Sequence, residues 1–234
     1  MPRHPVVELR QYTLRHGRRD ALVTLFEREF LEPQAAVGAP VLGTFTDLDD
    51  ADRFVWLRGF AGMDARAAAL AAFYGGPAWQ AHREAANATM LDSDNVLLLR
   101  PAGEGDGTGQ AGGGDGPGLY SAWIHYLGPV DPAAFAAFHA GTVRPVLAGL
   151  GVRPLMALVT EPAANSFPRL PVREGEPVFV WLARHPGPAA LEAFERRWAD
   201  AGAWRDTVPA PLLPALMRKP ERLRLLPTPR SPLR

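Results

Sequence analysis

The sequence contains no cysteine, and its 25 basic residues include a single lysine, Lys219. The absence of cysteine excludes disulfides, thiolate metal sites and thiol nucleophiles, and it fits a reducing compartment. The 25 acidic residues balance the basic ones, so no net charge attracts the chain to nucleic acid or to an anionic membrane. We therefore expect a cytoplasmic protein without nucleic-acid or membrane partners. The scarcity of lysine, beside abundant alanine, glycine and proline, is typical of a GC-rich bacterial genome.

Several functional motifs are also missing. No apolar stretch approaches the roughly 20 residues of a membrane helix, and the N-terminus lacks the pattern of a signal peptide. The chain has no H-E-x-x-H motif, no P-loop and no G-x-S-x-G elbow. Residues 107–112 match the dinucleotide pattern G-x-G-x-x-G, but no helix is predicted directly after them, which favours a linker. We expect neither a metal site nor a cofactor.

The chain does contain an internal repeat. Phe54–Leu57 (FVWL) returns about 125 residues later as Phe179–Leu182, and an Ala-Trp pair that ends at Trp79 or Trp204 follows each copy. The repeat predicts two related domains, at 1–101 and 119–234, joined by a flexible glycine-rich linker at 102–118.

Hydrophobic periodicity predicts the order β-α-β-β-α-β in each copy, which is the split βαβ of ferredoxin-like folds. Two such sheets, packed face to face, would form a closed α+β barrel with the helices outside. The second copy differs by a long loop at Glu161–Pro177, and we expect Thr228–Arg234 to fray. In the first copy the predicted strands are Val6–Leu14, Pro40–Thr46, Phe54–Leu57 and Val96–Leu99, and the predicted helices are Asp20–Val37 and an alanine-rich helix that begins at Asp64.

The first copy resembles a known family. The opening Val7–Gly17 (VELRQYTLRHG) is similar to the E-L-R-x-Y-x-L-x-x-G pattern of NIPSNAP domains, and Val41–Phe45, Val55–Leu57 and Trp79 follow the same family pattern. The resemblance is weaker over the second copy. It implies membership of the dimeric α+β barrel superfamily, which includes small monooxygenases, isomerases and haem enzymes.

Alternation along the first strand places Glu8, Arg10 and Tyr12 on one face, and we expect that face to line the barrel lumen. A carboxylate and a guanidinium two residues apart on one strand face can pair. The pair therefore either sets the register of the two sheets as a structural salt bridge or lines a ligand pocket.

In the second copy, Ser121, Trp123 and His125 occupy the positions of Glu8, Arg10 and Tyr12. His125 is the predicted acid/base because histidine transfers protons near neutral pH, although a hydrogen-bonded core histidine is the alternative. Trp123 lacks a tryptophan counterpart and is predicted to stack on a flat ligand, with Ser121 and Tyr126 beside it. The repeated tryptophans Trp56 and Trp181 are predicted to pack the core.

Two functions remain open on the sequence alone. In the first, the lumen binds or converts a small apolar or aromatic molecule by cofactor-independent acid/base chemistry, as a monooxygenase, isomerase or cyclase would. His125 would then be the acid/base, Arg10 and Tyr12 would polarise an oxyanion, and Glu8 would hold Arg10. In the second, the protein has a packed barrel and is a non-catalytic binding or interaction protein. Association into a homo-oligomer is compatible with either function.

Overall fold

The structure is a computed structural model that describes residues 4–103 and 118–234. The predicted linker, including residues 107–112, falls mainly outside the described residues. The strands are β1 Val6–Leu14, β2 Val41–Asp47, β3 Arg53–Phe60, β4 Met90–Pro101, β5 Leu119–Tyr126, β6 Pro154–Thr160, β7 Val178–His185 and β8 Glu221–Pro227. The α-helices are α1 Arg19–Glu29, α2 Leu31–Ala36, α3 Met63–Gly75, α4 Pro77–Asn87, α5 Pro132–Phe138, α6 Arg144–Gly149 and α7 Pro188–Asp200. A π-helix at His139–Val143 joins α5 to α6, and 3₁₀ helices at Gly202–Thr207 and Ala210–Leu216 follow α7.

The eight strands form a closed barrel in the order β1-β3-β2-β8-β5-β7-β6-β4. The first half of the chain contributes β4-β1-β3-β2, and the second half contributes its four strands in the equivalent order. Two antiparallel seams close the barrel, where Thr46 on β2 pairs with Leu226 on β8 and Arg100 on β4 pairs with Val159 on β6. The predicted fold, two ferredoxin-like units forming one α+β barrel, is confirmed.

The barrel lumen is filled by one apolar cluster drawn from both halves. Val7 and Leu9 on β1 belong to this cluster together with Leu57 on β3 and Leu182 on β7. An eight-stranded barrel has an interior that side chains can just fill, so the lumen is a packed core. The prediction of a polar lumen is wrong because the apolar residues of each first strand face inward. The opposite face of these strands points outward, beneath the helices; it includes Glu8, Arg10, Tyr12, Ser121, Trp123 and His125.

The helical region predicted at Asp20–Val37 is interrupted at Phe30, where α1 ends and α2 begins. In a continuous helix the ring of Pro33 would clash with the carbonyl of Glu29, four residues earlier. The break gives α2 a position of its own, from which the buried side chain of Gln34 reaches the outer face of the sheet.

The last residues of the chain are ordered, contrary to the expected fraying. Leu233 joins the apolar cluster of the lumen, and Ser231 Oγ accepts a hydrogen bond of 3.1 Å from the main-chain nitrogen of Thr44. Thr228 donates to the buried carboxylate of Glu27 on α1. These contacts with distant segments, which the sequence does not reveal, hold the tail against the barrel. Of the helices in the described ranges, none is long and apolar enough to cross a membrane.

Candidate functional site

Glu8 is the centre of a buried cluster of charges on the outer face of the first half. Its carboxylate accepts hydrogen bonds from Arg10 at 2.8 Å, from Arg58 at 2.7 Å and from Arg66 at 2.6 Å. Arg10 lies two residues along β1, Arg58 is paired with Glu8 across β3, and Arg66 extends from α3. All four side chains are fully buried. Glu8 and Arg10 therefore form the salt bridge that was one of the two alternatives for this pair, and Arg58 and Arg66 join it.

The cluster has an excess of positive charge. Burial opposes ionisation of Glu8, but the charges of Arg58, Arg10 and Arg66 outweigh burial and lower its pKa to about 2. Within the described ranges, Glu8 is the only carboxylate that forms a salt bridge with any of the three arginines. One negative charge against three positive charges leaves the cluster at about +2. The site therefore favours a further anion nearby.

Tyr12 connects this cluster to a cleft. Arg10 Nε donates a hydrogen bond of 3.1 Å to the Tyr12 hydroxyl oxygen, and the Arg10 guanidinium lies 5.4 Å from the centre of the Tyr12 ring. Burial raises the pKa of Tyr12 and exceeds the opposing effect of the Arg10 charge, so the phenol keeps its proton at neutral pH. Since Arg10 already donates to the oxygen, the hydroxyl hydrogen can be donated to a ligand.

The cleft lies outside the barrel and has a volume of about 280 Å³. Aromatic rings form its inner part, where Tyr74 and Trp79 meet edge to face at 4.9 Å. Polar residues from α4 and β4 form its outer part. An engineered cavity of about 150 Å³ holds benzene, so the cleft is large enough for a molecule of one or two rings. The lining residues are Tyr12, Tyr74, Trp79, Gln80, Arg83, Asn87, Met90, Ser93, Asp94, Phe167, Arg169, Leu170 and Pro171.

The long loop of the second half forms one wall of this cleft. Asn165 Oδ1 and Ser166 Oγ accept hydrogen bonds from Arg66 Nη1, at 2.9 and 3.1 Å. The ring of Phe167 stacks on Tyr74 with an angle of 19° between the ring planes. The main chain of Arg173 donates to the Val96 carbonyl on β4, so the loop extends along the first half. The site is thus built from both halves of the chain.

In the second half, the equivalent outer face is largely neutral. Ser121 Oγ lies 2.8 Å from His185 Nε2, where the first half has Glu8 and its arginines. Trp123 stacks on Trp181 with 4° between the ring planes and a centroid distance of 5.5 Å. Trp123 was predicted to stack on a ligand, but in the structure one of its faces is covered by Trp181. Trp56 and Trp181 both pack in the core, as predicted, and the structure places them in the layer beneath the helices.

His125 is buried near Trp181, whose indole nitrogen donates to His125 Nε2 at 3.4 Å. Burial lowers the pKa of His125 to about 4. His139 lies in the adjacent π-helix, and burial, followed by the charges of His125 and Arg144, lowers its pKa to about 3. Both rings are therefore neutral near pH 7. His125 does not line the cleft at Tyr12, so the structure separates the predicted acid/base from the predicted oxyanion donors.

Tyr126 lies apart from the other predicted residues because it faces the lumen. It belongs to the apolar cluster of the barrel, and its hydroxyl donates to Glu221 at 2.6 Å. Arg173 Nη1 donates to the same hydroxyl oxygen at 3.3 Å. The alternation of the strand explains this position, because Tyr126 directly follows His125 and points to the opposite face.

The sequence did not indicate Arg58 or Arg66 as site residues, and it marked the loop at 161–177 as an insertion without placing its residues at the site. One signal was present for Arg58: it directly follows the repeated block Phe54–Leu57, whereas Ala183 follows the equivalent block at 179–182. Arg66 carried no comparable signal, because its approach to Glu8 depends on tertiary packing, and the same holds for the approach of the loop to Arg66. Over the described residues, no group of three or more side chains is arranged to hold a metal ion.

The first half of the chain matches a known family model, and the whole chain shares its fold with solved structures. Residues 7–103, which include Glu8, Arg10 and Tyr12, match the NIPSNAP family model. A candidate monooxygenase from Lactobacillus acidophilus is 11% identical with a TM-score of 0.56, and the alignment covers 96% of this chain and 94% of that one. A second candidate monooxygenase, from Fusobacterium nucleatum, is 8% identical with a TM-score of 0.56 and 97% and 94% coverage. These identities establish a shared fold alone.

An uncharacterised NIPSNAP-like domain protein from Burkholderia xenovorans is 28% identical over 43% of this chain and 87% of its own, with a TM-score of 0.39. A search of the curated proteins found no match to this chain.

Proposed function

We propose that this protein, whose residues 7–103 form a NIPSNAP domain, binds a small planar phenol or enolisable ketone in the cleft at Tyr12. The ligand's ring lies against Tyr74 and Trp79, and its oxygen accepts a hydrogen bond from the Tyr12 hydroxyl. The site lies between sheet and helices, since the lumen is filled by side chains. The contact of Arg10 with Tyr12 is the single observation that carries the proposal.

The charge of the cluster suits a ligand oxygen that becomes negative. Arg10 polarises the Tyr12 hydroxyl directly, and the cluster of Glu8 with its three arginines supplies a field of net positive charge behind it. Preorganised donors in a buried site stabilise a developing oxyanion more than water does. Arg10 is a positioning residue in this scheme, and Glu8 holds Arg10 in place.

The reaction class that fits is proton transfer at a carbon next to the ligand oxygen. The C–H bond breaks and its proton passes to the carboxylate of Asp94, which lines the cleft. The electron pair stays on the ligand as an enolate or phenolate, whose charge Tyr12 stabilises. The same step is the first half of an isomerisation, and it prepares a carbon nucleophile for cyclisation or oxygenation. The monooxygenase names of the two full-length structural neighbours are compatible with this class. We propose that the chain carries it out without a cofactor.

A second candidate is supported by the packed lumen, which the sequence associated with a non-catalytic binding protein. In this alternative, the cleft binds the same class of ligand but does not convert it. The two candidates therefore share a binding site and differ only in turnover.

Calorimetric titration with 2-naphthol tests the binding site. We expect Tyr12→Phe to lower the affinity by about 3- to 10-fold, because one hydrogen bond to a polar ligand is lost. Tyr120→Phe is the matched control, since Tyr120 is buried in the lumen and donates to the Arg234 carbonyl. No binding by the wild type, or equal loss in both variants, would contradict the proposal.

Exchange of the ring hydrogen beside the hydroxyl of 2-naphthol, followed by NMR in D₂O, separates the two candidates. Protein-dependent exchange that is lost in Tyr12→Phe would support catalysis. Binding without accelerated exchange would favour the non-catalytic candidate.

A further inference from the structure

Two arginines at the outer part of the cleft differ from those of the buried cluster. Arg83 lies on α4 and Arg169 lies on the loop of the second half, and both line the cleft. The guanidinium group of neither arginine forms a hydrogen bond or a salt bridge with any residue in the described ranges. Arg10, Arg58 and Arg66, by contrast, each bind Glu8. Asp94 also lines the cleft, which leaves its outer part with a net charge of about +1.

The loop holds Arg169 in a defined place. Asn165 Nδ2 donates to the Leu170 carbonyl at 3.0 Å, and the main-chain nitrogen of Phe167 donates to Asn165 Oδ1 at 3.1 Å. The main-chain nitrogen of Leu170 donates a hydrogen bond to the Phe167 carbonyl, which closes a turn that contains Arg169. Arg66 fixes Asn165 from the first half. The backbone of Arg169 is therefore preorganised at the cleft before any ligand binds.

We infer that the cleft selects planar acids, and that Arg169, contributed by the second half, determines this selectivity together with Arg83. The ligand would carry a hydroxyl or carbonyl oxygen at one end, which reaches Tyr12, and a carboxylate at the other, which reaches the two guanidinium groups. Arginine suits carboxylates because its planar fork can donate two parallel hydrogen bonds. This inference rests on the proposed function and adds the ligand's second polar group.

The probe pair is 6-hydroxy-2-naphthoate and its neutral match, 6-hydroxy-2-naphthamide, titrated by calorimetry into the full chain. The wild type is expected to bind the acid about 5- to 10-fold more tightly than the amide, because exposed charge pairs contribute modestly. Arg169→Gln is expected to reduce this ratio to about 2 or less while the affinity for the amide stays within about twofold. Arg196→Gln is the matched control, because Arg196 is exposed on α7 and does not line the cleft.

The outcomes distinguish the inference from the proposed function. If both probes bind, lose affinity in Tyr12→Phe, and show no preference for the acid, the inference is overturned and the proposed function stands. If the preference for the acid survives in both Arg169→Gln and Arg83→Gln, the inference is also overturned. If neither probe binds, or if Tyr12→Phe has no effect on either, the proposed function fails, and the inference fails with it.

Discussion

Glu8 on the first strand and Arg66 on α3 are joined by a buried ion pair of 2.6 Å between Oε1 and Nε. This ion pair joins α3 to the sheet. Arg66 also donates hydrogen bonds to the side chains of Asn165 and Ser166 in the second half. One carboxylate thus links the sheet, a covering helix and the wall of the candidate cleft.

The Glu8→Gln variant is expected to lower the free energy of unfolding by about 3–5 kcal/mol, because it leaves three buried arginines without their anion. Chemical denaturation at pH 7 measures the change. Glu84→Gln on the exposed side of α4 is the matched control and should change stability by less than about 0.5 kcal/mol. A loss below about 1 kcal/mol for Glu8→Gln would mean that the cluster does not depend on this charge.

Acid is expected to destabilise the protein from about pH 6.5 downward. The pKa values of His125 and His185 are lowered to about 4 and that of His139 to about 3, in each case mainly by burial. These histidines are neutral in the folded state, whereas the unfolded chain binds protons below its ordinary histidine pKa of 6.5. The free energy of unfolding is therefore unaffected by these histidines above pH 6.5. It decreases as the pH falls from 6.5 toward their folded-state pKa values of about 4 and about 3.

Thermal unfolding between pH 7.5 and 5 measures this effect, because the contribution of Glu8 is lost only below its ordinary pKa of 4.5. His139→Phe is the informative variant, since Phe26 packs on Trp56 in the first half much as His139 packs beside Trp181 in the second. Its Tm should fall less with acid than that of the wild type. Identical slopes for the two proteins would argue against the burial of a neutral His139.

The C-terminal tail is expected to contribute to stability through Leu233. This residue is 7% exposed and packs in the lumen, so Leu233→Ala should cost about 2–3 kcal/mol. Leu91→Ala removes the same atoms at a position that is 62% exposed and should cost less than about 0.5 kcal/mol. Equal effects in urea unfolding would show that the tail does not pack as described.

Asn165→Ala is expected to loosen the loop without unfolding the barrel, because Asn165 makes hydrogen bonds to Arg66, Phe167 and Leu170. Hydrogen exchange should become faster at the amides of Phe167 and Leu170 and stay unchanged in β1. Asn87→Ala, an exposed residue on the opposite wall, serves as the control. Unchanged exchange at Leu170 would show that another contact holds the loop.

The repeat and the strand alternation predicted the barrel. Phe54–Leu57 lies in β3 and its copy, Phe179–Leu182, lies in β7, which occupies the equivalent place in the second half. Alternation also grouped Glu8, Arg10 and Tyr12 correctly. It did not determine which face of β1 points inward, because both faces are buried and apolar residues occur on each. Val7 and Leu9 face the apolar lumen, whereas Glu8 faces the side on which Arg58 and Arg66 are available as partners.

The remaining parts of the site depend on contacts between distant segments. The loop at 161–177 was visible as an insertion, but its path along β4 follows from main-chain hydrogen bonds that leave no mark in the sequence. Trp79, which the sequence marked only through the repeat and the family pattern, both packs against the core and lines the cleft. The cleft itself exists only where the loop, α4 and β4 meet in the fold.

The most direct test is a crystal structure of the protein with 6-hydroxy-2-naphthoate bound. We expect the ring system to lie against Tyr74 and Trp79, outside the barrel, with its hydroxyl within hydrogen-bond distance of the Tyr12 hydroxyl. A ligand in the lumen, among Leu9, Leu57 and Leu182, would contradict the central claim that the outer face of the first half carries the site.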